Sequence, residues 1–137
     1  MQPGGAVLQV EQLQTLEWAD LTAPDDTKTM RDLIHKAMEL NTSVKGKILT
    51  QLIFSISPQD PVLVHCSAGV GRSGTFIAVY KLLEDYLNKD RKQLDVFGTV
   101  LEMRGQRMRM IQKAPQYVYV FKCLRAEVKD EEGGYYS

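Results

Sequence analysis

The stretch Pro61-Val-Leu-Val-His65-Cys66-Ser-Ala-Gly69-Val-Gly71-Arg72-Ser73-Gly-Thr-Phe76 decides how the rest of the chain is read. Pro61 to His65 is a compact apolar run of strand length. Past the loop, Phe76, Val79, Tyr80, Leu83, Tyr86 and Leu87 fall at helical spacing. Between them, Gly69 and Gly71 can take positive φ and turn backbone N–H groups inward. A concave row of such groups is an anion nest, and a helix starting near Ser73 adds its positive end. The field that holds an oxyanion also favours a thiolate, so Cys66 is expected below the free-cysteine pKa of about 8.5. Arg72 carries a planar, permanently charged fork that matches two phosphate oxygens. Ser73 is placed to hydrogen-bond the sulfur and help it leave a phospho-enzyme.

Three plainer readings compete. Gly69-x-Gly71-x-x-Gly74 matches a dinucleotide fingerprint, but no following βαβ unit with an acidic residue appears after Tyr86. An ATP-type phosphate loop requires Gly-Lys-Ser/Thr, and Arg72 stands elsewhere. A lone cysteine after a strand is usually a small buried hydrophobe. The spacing His-Cys-x5-Arg-Ser with two interposed glycines is too constrained for that.

Outward from the loop, the order of elements predicts an α/β fold: a twisted mixed sheet flanked by helices, with the phosphate-type loop between a buried strand and a helix. Leu13 and Thr15 alternate with Gln12, Gln14 and Leu16, which reads as a strand within Val7 to Trp18. Trp18 to Asp26 reads as a loop with a helix cap at Asp26 or Thr27. Met30, Leu33, Ile34, Ala37 and Met38 then line one helix face. Asn41 to Asp60 reads as a short strand, a helix or a surface excursion. Asp95 to about Arg107 is expected to be helical, with Val96, Val100 and Met103 on one side. Pro115 suits the first turn of a last helix faced by Tyr117, Val120, Phe121 and Leu124, though its aromatic and β-branched content leaves a strand reading open.

The 137 residues suffice for one domain. Seventeen Lys+Arg against seventeen Asp+Glu give no net pull toward nucleic acid or anionic lipid. Cys66 and Cys123 cannot form a disulfide framework, so a reduced, intracellular chain is expected. The apolar run Ile48 to Ile56 is too short to cross a bilayer. Met1-Gln-Pro-Gly-Gly lacks the flank and core of a signal peptide, so export is not expected.

With these residues in view, His65 to Phe76 resembles the signature of the classical protein tyrosine phosphatases. Trp18-Ala-Asp20, followed by Pro24, is similar to the family's Trp-Pro-Asp loop. Met103-Arg-Gly-Gln-Arg-Met-Arg-Met-Ile-Gln112-Lys-Ala-Pro-Gln116-Tyr117 is similar to its glutamine loop. The matches run from about Val10 to Leu124 and correspond to the C-terminal part of the catalytic domain. The resemblance implies hydrolysis of phosphotyrosine in proteins through a cysteinyl-phosphate, with no metal or other cofactor. It makes Cys66 the nucleophile, Arg72 the phosphate clamp, Asp20 the general acid and Gln112 the positioner of water. Ser73 assists the sulfur. Ser67, Ala68, Gly69, Val70, Gly71, Arg72 and Gln116 are the expected substrate-binding residues. The implied partners are tyrosine-phosphorylated proteins, with no nucleic acid and no membrane contact, in the cytoplasm or the intracellular part of a receptor.

The resemblance also has gaps. No counterpart of the family's Lys-Asn-Arg-Tyr type loop, which walls the phosphotyrosine pocket, is found. Residues 1–128 are therefore expected to form a partial catalytic domain with exposed apolar faces, and residues 129–137 a flexible acidic tail. Ala19 stands where the family carries proline, which loosens the acid loop. A truncated, weakly active or inactive phosphotyrosine-binding pseudo-phosphatase is the alternative reading. Arg104, Arg107, Arg109 and Lys113 form a basic cluster, read either as a solvated face or as pairing behind the loop for Arg104 or Arg107. His65 is expected to orient the loop, His35 to lie on the surface and Cys123 to pack in the core.

Overall fold

Helix-forming segments in this chain are set by caps and by apolar faces that find partners. A computed structural model describes residues 4–5, 10–45, 62–88 and 93–134. Among them run four helices: α1 (Lys28–Lys45), α2 (Arg72–Asn88), α3 (Val96–Gln106) and α4 (Ala114–Gly134).

α1 begins where Asp26 Oδ1 accepts from the amides of Lys28 (2.8 Å) and Thr29 (3.2 Å), while the Thr27 carbonyl takes the first turn's bond from Arg31. The carboxylate and the carbonyl thus share the cap between the two residues the sequence nominates. Its inner face is Met30, Ile34 and Ala37. α3 is capped the same way, Asp95 Oδ1 accepting from Gly98 N at 2.8 Å. Val96, Val100 and Met103 are buried on it, as their spacing predicts.

α2 is the central element and packs against all three others. Ile77, Ala78, Val79, Tyr80, Leu82 and Leu83 are all buried, so apolar side chains surround most of its girth. α4 settles as a helix the segment whose composition also allowed a strand. Its buried side is Gln116, Tyr119, Val120, Cys123, Leu124 and Glu127. Val120 and Leu124 are buried as their spacing predicts, but the buried side is rotated from the expected one, since Tyr117 is half-buried and Phe121 exposed, the two rings meeting edge to face at 5.3 Å. The helix continues from Lys129 through Gly134, taking in most of the segment read as a tail.

The expected α/β class is corrected: among the described residues there is no strand and no sheet. Val62, Val64 and Cys66 are half-buried while Leu63 and His65 are exposed, so the period-two alternation of a strand is present. What is missing is a neighbour. A strand forms only when its N–H and C=O groups find a second strand, and none of the described residues supplies one. The run from Val10 to Glu17, also read as a strand, is exposed and unpaired with any ladder. Of Asn41 to Asp60, the first five residues extend α1 and the rest lies outside the described residues, as do residues 135–137.

Candidate active site

Cys66 enters a turn that closes onto the first turn of α2. Gly69 has φ +74°, a left-handed conformation that favours glycine. Its amide donates to Cys66 Sγ at 3.3 Å. The Val70 carbonyl accepts from Gly74 N (3.2 Å) and Ile111 N (2.8 Å), and the Gly71 carbonyl from Thr75 N (3.0 Å) and Thr75 Oγ1 (2.8 Å). These bonds fasten the loop to α2 and to the segment before α4. Gly74 is required by close approach: a Cβ there would lie 2.6 Å from the Ile111 backbone nitrogen.

Burial alone would push the Cys66 thiol up. Opposing it are Ser73, whose hydroxyl and amide face the sulfur, the Gly69 amide and the charge of Arg72, and together they hold the thiol below its ordinary value. Ser73 Oγ is buried without a fully formed hydrogen bond, so the Gly69 amide is the direct donor in this arrangement. The positive end of α2, which starts at Arg72, points the same way.

Arg72 reaches back to the Trp18–Thr22 segment. Its Nη1 donates to the Trp18 carbonyl at 2.9 Å, and its Nε stands 3.7 Å from Asp20 Oδ1. Asp20 is exposed and held in a turn, with Leu21 at φ +61° and the Leu21 amide donating to Asp20 Oδ1 at 3.0 Å. Trp18 is buried against Tyr119, and its Nε1 donates to the Thr22 carbonyl at 2.7 Å.

Gln112 brings a third element to the loop. Its Oε1 is buried with no hydrogen-bond donor among the described residues, and it lies so near Gly71 that a Cβ there would come within 2.5 Å of it. An amide oxygen left without a donor over the glycine loop is suited to receive a water hydrogen. Gln116, read as a substrate-binding residue, is fully buried, its amide engaged by protein partners. Ser67 and Ala68 are exposed on the rim. The structure thus gathers Cys66, Arg72, Ser73, Asp20 and Gln112 around one turn, with Gln116 behind it.

The basic cluster divides. Arg107 donates to the Ala68 carbonyl (3.0 Å) and so holds the phosphate-type loop directly, whereas Arg104 donates to the carbonyls of Met110 (3.0 Å) and Ile111 (2.7 Å) in the segment before α4. Arg109 and Lys113 remain exposed. His65 is exposed with no hydrogen bond to the loop. His35 is half-exposed, but its Nε2 lies 2.6 Å from Glu127 Oε1, a contact helical spacing does not reveal. Sequence reading missed Thr22, whose importance lies in its carbonyl, an atom no motif records.

A sulfur held toward its anionic form beside the Gly69 amide, with a guanidinium nearby, is an arrangement suited to cysteine-dependent chemistry on an oxyanion. Residues 2–126 match the family described as protein-tyrosine phosphatase, and the chain belongs to that family. It is 36% identical over 116 residues to the rat receptor-type tyrosine-protein phosphatase V, covering 85% of this chain and 6% of the relative. It is 30% identical over 127 residues to the Arabidopsis thaliana protein-tyrosine-phosphatase PTP1, covering 93% of this chain and 33% of the relative. A rat protein named phosphatidylinositol phosphatase PTPRQ is 32% identical over 131 residues, or 96% of this chain and 5% of the relative. The chain spans about a third or less of the length of these relatives. No helix among the described residues is long and apolar enough to cross a membrane.

Proposed function

We propose that the chain hydrolyses phosphotyrosine in proteins through a cysteinyl-phosphate formed on Cys66. The observation that carries this is the Cys66 sulfur in contact with the Gly69 amide and its thiol held low with Arg72 nearby. In the first step the sulfur attacks phosphorus while the bond to the tyrosyl oxygen breaks. The amides of Ser67 to Arg72 and the Arg72 fork take the charge on the three equatorial oxygens. The leaving oxygen has a conjugate pKa of about 10, so it needs a proton, which Asp20 supplies. In the second step a water directed by Gln112 attacks phosphorus, Asp20 takes its proton, and the thiolate leaves with help from Ser73. Every step uses groups of the chain alone, and none calls for a metal.

The Arg72–Asp20 approach supports an acid loop that sits over the nest when closed. A nucleophile of this kind works where thiols stay reduced, so we place the activity in the cytoplasm. Steady-state hydrolysis of a phosphotyrosyl peptide in chelator tests the reading. Turnover abolished by Cys66→Ser is expected; turnover that survives it overturns the mechanism. A phosphoinositide serves as competing substrate, given one relative's name, and preference for it overturns the phosphotyrosine assignment.

A further inference from the structure

Gln116 is wholly buried at the start of α4, yet its amide is the meeting point of three loops. Oε1 accepts from Gln112 N at 2.9 Å and from Lys113 N at 3.2 Å. Nε2 donates to the Thr22 carbonyl at 3.3 Å. Below it, a Cβ on Gly71 would lie 3.0 Å from Nε2 and 3.3 Å from Oε1, so the amide plane rests on the phosphate-type loop. Two amide donors on one side and a carbonyl on the other fix its orientation, because a flipped amide would lose all three bonds.

The Thr22 carbonyl is a strategic place to hold. The turn from Trp18 to Thr22 is closed on itself by Thr22 N and Thr22 Oγ1, which donate to the Ala19 carbonyl at 3.3 and 2.6 Å, and by Trp18 Nε1 on Thr22. A turn so tied moves as one piece, and Asp20 moves with it. Among the described residues two hydrogen bonds hold it to the site: Arg72 on the Trp18 carbonyl and Gln116 on the Thr22 carbonyl. The proposed mechanism gives Arg72 to the substrate, whereas Gln116 is fully buried with its amide engaged by Gln112, Lys113 and Thr22.

We propose that Gln116 is a positioning residue that latches the Asp20 turn and the Gln112 turn to one another across Gly71. A single amide then sets the proton donor of the first step and the water guide of the second in register with the nest. The link to those steps rests on the proposed phosphatase reading; the latch itself does not.

Trp18 is the only tryptophan of the chain and sits inside the latched turn, so its fluorescence reads the latch without any turnover. Gln116→Met keeps length and volume and removes all three bonds. Gln116→Glu keeps an acceptor for Gln112 and Lys113 and removes the donor to Thr22. Acrylamide quenching of Trp18 should rise in both by about fivefold at most, the population shift one neutral hydrogen bond supports. Unchanged quenching in a variant with wild-type far-ultraviolet dichroism overturns the latch. If one variant fails to fold, the other decides.

The catalytic arm compares an aryl phosphate with a poor leaving group against one whose phenol leaves unprotonated. A loosened Asp20 turn should lower kcat/KM for the first by roughly tenfold or more and for the second far less. Equal losses for both overturn the coupling. A wild-type chain that hydrolyses neither defeats the proposed function, and the Trp18 measurement still decides the latch.

Discussion

At the scale of single residues, backbone strain and the acid loop give the sharpest expectations. Arg109 and Ile111 both adopt left-handed φ, +64° and +65°, which cost a side-chain-bearing residue about 1 kcal/mol or more. Arg109 is exposed, so Arg109→Gly should stabilise the fold by about 1 kcal/mol. Ile111 is buried, so Ile111→Gly should destabilise it by about 3 kcal/mol despite relieving the same strain. Urea unfolding of the two variants checks the opposite signs. Among the described residues the Ala19 amide has no hydrogen-bond acceptor, and the Ala19 carbonyl is the acceptor that closes the turn. Proline at 19 therefore removes no hydrogen bond, and Ala19→Pro should raise turnover on a phosphotyrosyl peptide by stiffening the turn. These residues also show what sequence does and does not reveal. Cys66 and Arg72 are nominated by residue type and spacing and Asp20 by resemblance, and the structure brings the three near one another. The acceptor role of the Thr22 carbonyl was not legible, because any residue carries one.

Between elements, α1 and α4 are joined by charges that their separate sequences do not pair. Arg31 Nη1 lies 3.1 Å from Glu127 Oε2 and 2.6 Å from Asp130 Oδ2, and His35 adds a second contact to Glu127. Both Arg31 and Glu127 are largely shielded from water. Arg31→Ala should cost about 2–3 kcal/mol by leaving Glu127 under-partnered, measured by chemical denaturation. Cys123 and Tyr119, on the buried side of α4, predict the response to alkali. Burial pushes the Cys123 thiol up to about 11 and the Tyr119 phenol higher still, while burial also pushes Tyr80 on α2 up to about 12. Each group is neutral when folded and ionises more readily unfolded, so the unfolded chain binds fewer protons above a pH of about 8.5. This stabilisation is complete below that point and should fall as pH rises toward 11, with Cys123→Val flattening the thiol's share. Cys66 works in the other direction, its contribution being lost as pH falls through its lowered native value. Helix existence was readable from caps and spacing. The rotation of α4 was not, because Tyr117 and Phe121 are as apolar as Tyr119 and Val120, and packing on α2 chose between the two faces.

Over the whole molecule, the described residues make a helical cluster around α2 and expose much apolar surface. Phe97 and Leu101 stand one turn apart on α3, 67% and 58% exposed, and Leu63 is 86% exposed. Such surface favours dye binding and self-association. Phe97→Ser with Leu101→Gln should lower binding of a hydrophobic dye while leaving turnover unchanged, since neither residue lies at the nest. The α/β expectation failed at this scale alone: alternation marked the run before Cys66 as a strand, but pairing is a property of two segments, and spacing within one cannot supply the other.

The proposed chemistry requires a phosphoryl group to pass through one sulfur. Rapid acid quench of the chain turning over a phosphotyrosyl peptide, in chelator, followed by mass spectrometry of the digest, tests this most directly. A single phosphoryl group on the peptide bearing Cys66, absent from Cys66→Ser and prolonged in Gln112→Ala, is the expected result. Turnover with no covalent phosphate, or with phosphate on another residue, would contradict it.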